Sequence, residues 1–255
     1  TGNIPSFVAV NNGTSPVVAT IVVTPFYSDG PTETTCQGTP QTFTITVNPT
    51  PNAVATPSSQ TICSGGTITT IVLTGNVANT TFNWTRNSPG VTGIAASGSG
   101  NISGTLTNTT SAPITVTFTI TPTANTCPGN AITATVIVNP TPTGTATPAS
   151  QTICSGGTIT TIALAGPVAN TTFTWTRDNT ANVTGIAANG SGNISGALTN
   201  TTNGPITVTF TITPTANTCP GTTFTATVLV NPTPTAFTVT GGGTYCTGST
   251  GIAVG

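Results

Sequence analysis

Apolar and polar residues alternate with a period of two along most of the chain. Val116, Phe118 and Ile120 fall on one side of a segment whose other side is Thr115, Thr117, Thr119 and Thr121, and Ile132, Ala134, Val136 and Val138 repeat the pattern after a turn at "NTCPG". Such alternation predicts half-buried strands, here joined as a hairpin. Upstream, "TITTIVLTG" from Thr67 predicts another strand and "TTFNWTR" from Thr80 a third, with Phe82 and Trp84 on one face. "VTGIAA" and "NISGTLT" predict two shorter ones. Threonine suits the wet side of these strands because its branched carbon fits the pleat while its hydroxyl keeps water.

The pattern is periodic on a larger scale too. "SQTICSGGTITTI" occurs at Ser59–Ile71 and again at Ser150–Ile162, and "PITVTFTITPTANTCPG" at Pro113–Gly129 and Pro205–Gly221. Cys63 recurs at Cys154, 91 residues on, and Cys127 at Cys219, 92 residues on; the extra residue enters where "RNSPGV" from Arg86 becomes "RDNTANV" from Arg177. "VNPTP" punctuates the units at Val47, Val138 and Val230, and two prolines within three residues make a short, stiff, extended connector. These marks divide the chain into residues 1–49, the second half of one unit; complete units at 50–140 and 141–232; and 233–255, the opening of another. The expectation is a stretch of a longer array. About ninety residues per unit, some seven strands and a tryptophan on the third predict an all-β fold of immunoglobulin-like sandwiches strung head to tail.

Composition narrows the chemistry. Only 2% of the 255 residues are charged, with two arginines, three acidic residues and no histidine, against about 25% in ordinary domains. Asp29, Glu33 and Asp178 are the whole carboxylate set. No nucleophile has a base to activate it and no carboxylate cluster offers a hard-metal site, so neither an enzyme nor a cofactor is expected. Arg86 and Arg177 cannot neutralise a run of phosphates, which excludes nucleic acid. The longest apolar run, Val17–Val23, is too short for a membrane helix.

The unit "VNPTP…QTICSGGTITTIVLTG…FNWTR…ITVTFTITPTANTCPG…ATVIVNPTP" resembles the PKD-like and Ig-like repeats of very large secreted surface proteins of Bacteroidota, including gliding-motility-type adhesins exported by the type IX pathway. The resemblance implies a secreted, extracellular structural segment at the cell surface. It departs from PKD domains proper where their "WDFGDG"-like stretch is replaced by "FNWTRNS", which removes the acidic function attached to it.

Cys36, Cys63, Cys127, Cys154, Cys219 and Cys246 recur near both ends of each unit, and without histidine or a Cys-x-x-Cys they are expected to form structural disulfides in an oxidising compartment. Two pairings are open, Cys63 with Cys127 inside one unit and Cys63 with Cys219 between neighbours. Phe82, Trp84, Phe173 and Trp175 are expected in the core, with the indoles as sugar platforms the alternative. Arg86 and Arg177 are expected over the rim of the core. Triplets such as Asn101-Ile102-Ser103 are read as chance glycosylation motifs, and "SGSGN" at Ser97 and "NGSGN" at Asn189 as flexible turns. The resulting expectation is the stalk of an extracellular adhesin, partnered by neighbouring repeats of its own chain. The alternatives are a subunit of a polymerising filament or sheath, associating with other copies of itself, and a carbohydrate-binding module.

Overall fold

The computed structural model describes residues 4–28, 35–87, 90–236 and 246–248. Asp29, Glu33 and most of 233–255 therefore lie outside the described residues. The chain divides into two compact units, Thr1–Thr141 and Pro142–Gly255. Among the described residues all regular structure is β-strand, and both units contain a sandwich.

In the first unit the large sheet runs in the order Ser97–Ser99, Thr81–Asn87, Ile114–Ala124, Ile132–Asn139, Ser59–Cys63, with Cys127–Pro128 folded back on Ile114–Ala124. The hairpin register pairs Ile114 with Val138, Val116 with Val136, Phe118 with Ala134 and Ile120 with Ile132, so the inward apolar residues meet across the two strands. Ser59–Cys63 adds to the last strand in parallel. The opposing layer consists of Val91–Gly93, Thr105–Asn108 and Gly66–Thr67, with Val54–Thr56 against Val72–Thr74. Between the layers Ile71, Ile102, Leu106, Val116, Phe118, Ile120, Val136 and Val138 are wholly buried. Trp84 meets Phe118 edge-on, ring centroids 5.7 Å apart.

The second unit repeats this plan. Its large sheet runs Ser150–Cys154, Phe224–Asn231, Ile206–Ala216, Thr172–Arg177, Asn189–Ser191, and Trp175 meets Phe210 at 5.6 Å. Residues 4–49 of the first unit supply a further hairpin, Val17–Val23 against Gln41–Val47. Its pairing of Val17 with Val47 corresponds to that of Ile114 with Val138.

Two expectations are corrected here. Ser97–Ser99 and Asn189–Ser191 are not flexible turns but edge strands on the tryptophan strands. They are glycine-centred because a Cβ on Gly98 would lie 2.3 Å from the Trp84 ring. Nor is "TITTIVLTG" one strand. The Gln60 side chain donates to Thr69 O (2.9 Å) and accepts from Thr69 N (2.8 Å), so a side chain satisfies backbone groups that a ladder would otherwise take.

Candidate functional site: the cysteine-bearing ends of each repeat

At one end of a complete repeat, Ser59–Cys63 closes its parallel ladder with Cys63 opposite Asn139. The chain then turns sharply: Ser64 N donates to Asn139 O (2.8 Å) and Gly65, at φ 79°, donates its N–H to Leu106 O (2.9 Å). Only glycine takes that conformation without strain. The Ser64 hydroxyl donates to Asn108 O (3.2 Å) and accepts from Asn108 N (3.0 Å), tying the turn across the sandwich. Ser155, Gly156 and Asn200 reproduce the arrangement beside Cys154.

Asn108 is a node that sequence reasoning missed. It is 7% exposed; its amide donates to Ala112 O (2.7 Å) and Val138 O (2.8 Å), and its carbonyl accepts from Thr110 N and Thr110 Oγ1, both at 2.8 Å. Asn200 makes the equivalent four bonds, and Asn11 bridges Ser15 O and Val47 O in the same way. The available signal was the recurrence of asparagine five residues before a proline that precedes a strand: "NTTSAP", "NTTNGP", "NNGTSP".

The other end carries Cys127 or Cys219. Asn125 (φ 47°) and Thr126 (φ 64°) are both left-handed, as are Asn217 and Thr218, which sets a tight two-residue turn directly before the cysteine. A β-branched residue in that region is strained. Behind the turn, a Cβ on Gly129 would come 1.8 Å from Pro51 O, and one on Gly221 1.8 Å from Pro142 O. The proline connector thus lies directly against the last hairpin of the repeat it introduces.

Cys63 and Cys219 are disulfide-bonded, whereas Cys36, Cys127 and Cys154 are thiols and Cys246 is exposed. The pairing of Cys63 with Cys127 is therefore not made. The two stand at opposite ends of Ile132–Asn139, an eight-residue strand about 26 Å long, and a disulfide requires Cα atoms within about 7 Å.

The remaining candidates lie in or over the core. Trp84 (7% exposed) and Trp175 (8%) are buried and donate from the indole to Gly100 O and Gly192 O, each at 3.1 Å. Phe173 is buried and Phe82 packs half-buried against its core. Arg177 donates to the carbonyls of Ile186 (2.7 Å), Ala187 (3.2 Å) and Val183 (3.0 Å), and Arg86 holds Ile94 and Ala95 likewise. Burial lowers the Arg177 pKa, with the Asp178 charge opposing. Asn101 and Asn193 accept from Leu73 N (2.9 Å) and Leu164 N (3.0 Å), so the triplets that contain them begin with residues that tie strands together. Among the described residues no group of three His, Cys, Asp or Glu could hold a metal, and no helix is long and apolar enough to cross a membrane.

No curated protein is similar to the chain. Among solved structures it is similar to the two Ig domains of DIP-gamma (10% identity, 72% of this chain and 98% of that one, TM-score 0.34). It is also similar to mouse cadherin-23 EC22-24 (12% identity, 72% and 67%, TM-score 0.38) and human mucin-like protocadherin EC1-2 (10% identity, 72% and 99%, TM-score 0.35). The family of PKD-like domains matches residues 60–142 and 151–234, more than half of the chain. The chain belongs to the PKD-like domain family.

Proposed function

We propose that this chain is a load-bearing stalk segment of a secreted surface protein, built of repeats at 1–49, 50–140, 141–232 and 233–255, in which Cys63 of one repeat is bonded to Cys219 of the next. The observation that carries this reading is the distribution of oxidised cysteines: one is of the first-turn type and one of the last-hairpin type, while the within-repeat alternative to Cys63, Cys127, is a thiol. A disulfide fits an extracellular setting. The 1–49 segment adds support. Asn48 holds there the place of Asn139, which is paired with Cys63, and it donates to Asn125 O (3.3 Å), two residues before Cys127. This contact supports a last-hairpin turn near the place where a first-turn cysteine of the preceding repeat would end. Such a staple resists separation of neighbours under load, and the Gly-Gly turn and left-handed hairpin are what present its two sulfurs. Non-reducing peptide mapping tests the reading. A Cys63–Cys219 peptide pair supports it, and a Cys63–Cys127 pair refutes it.

A second reading, a subunit that polymerises into a filament, is favoured by the apolar side chains that the Val17–Val47 region exposes, among them Val18, Val22, Val23, Phe26, Tyr27 and Phe43. Exposed patches of this kind mark association surfaces. Sedimentation velocity over a hundredfold concentration range tests it: a growing sedimentation coefficient supports polymerisation, and a constant one refutes it.

A further inference from the structure

In each complete repeat a groove opens on the outward face of the large sheet, beside the tryptophan strand. The first, about 480 Å³, is walled by Asn83, Thr85, Ser97, Ser99, Thr119 and Thr121, with an edge of Trp84 reaching it past Gly98. The second, about 280 Å³, is walled by Thr174, Thr176, Asn189, Thr211 and Thr213, with Trp175 and Gly190 in the corresponding places. Register explains the likeness. Ser97, Thr85 and Thr119 form one row across three strands, and Ser99, Asn83 and Thr121 the next. Asn189, Thr176 and Thr211 form the equivalent row in the second unit. The rows present hydroxyls and amides about 4.8 Å apart across strands and about 6.7 Å apart along them.

Three properties define the ligand. The walls carry no charge, so nothing in the groove repays an ionic ligand for leaving water. Among the described residues the wall side chains make no hydrogen bonds to the protein, so their donors and acceptors are open to a partner offering both kinds of group. The glycine leaves an indole edge beside them, an apolar strip suited to a C–H face. A chain of neutral sugars meets all three requirements, and each complete repeat carries such a groove. We propose that the outward groove of each complete repeat binds a neutral polysaccharide. The buried indole is not the stacking platform expected of a sugar site; it lines the groove edge-on, while the hydroxyl rows supply the recognition.

Affinity electrophoresis of the full chain in gels containing a soluble β-glucan, xylan, mannan or galactomannan tests this, with alginate as the charged counterpart. Retardation by at least one neutral polymer is expected, with at least tenfold weaker apparent binding in the double variant Thr119→Val, Thr211→Val and none of that loss in Thr115→Val, which lies on the same face of the strand outside the groove. Indole fluorescence should respond to the same polymer. Three outcomes overturn the proposal: no retardation by any neutral polymer, retardation by alginate alone, or equal retardation of the double variant. Far-UV circular dichroism of each variant distinguishes loss of the groove from loss of the fold.

Discussion

Asn200 shows what a single polar residue does in this fold. Its side chain makes four hydrogen bonds from a site only 7% exposed, joining a loop to the last strand. Asn200→Ala leaves buried backbone groups without partners, each costing about 1–3 kcal/mol, so urea unfolding should show a loss of about 3 kcal/mol. A loss within experimental error would mean that the loop relaxes onto water instead. In the sequence this residue is marked only by its recurring place five residues before a proline. Its burial is created by the loop that wraps it, and that loop has no hydrophobic period to read. The tryptophans were easier to read, because each shares a strand face with a phenylalanine. The arginines were placed over the core rim, yet their bonding to the carbonyls at 94–95 and 186–187 depends on a turn whose course alternation does not reveal.

At the scale of elements, the hairpin Ile114–Asn139 was legible because its period of two runs unbroken through both strands. The segment Gly66–Thr74 was not, since Gln60 interrupts it from another strand through the backbone of Thr69. The edge strand Ser97–Ser99 was also missed: its glycine was read as freedom, whereas it gives room to an indole. Gly190→Ala should therefore push Trp175 aside, lowering stability by about 1–3 kcal/mol and altering indole emission on equilibrium unfolding. The turn before Cys219 makes the opposite prediction. Thr218 holds a φ of 65°, and replacing it with glycine removes the steric penalty, so Thr218→Gly should raise stability by about 1 kcal/mol in the same assay. A decrease would show that the Thr218 hydroxyl, which donates to Asn217 O at 2.6 Å, outweighs the strain.

For the whole molecule, repetition and near-absence of charge have consequences of their own. Each unit carries its own buried cluster, so units fold on local cores and length is added by repeating them. With no histidine in the chain, no side chain of ordinary pKa changes charge near neutrality. Thermal midpoints should therefore be constant between pH 5 and 8; a midpoint shift of several degrees would reveal a titrating group that this account lacks. The central claim is that load passes between repeats through a Cys63–Cys219 bond. Single-molecule pulling from the two ends of the chain tests it most directly. Without reductant, the stretch between those cysteines should stay hidden from extension, and on adding reductant it should release roughly 500 Å of additional contour length as the repeats unfold. Release of the full length before any reductant is added would contradict the claim.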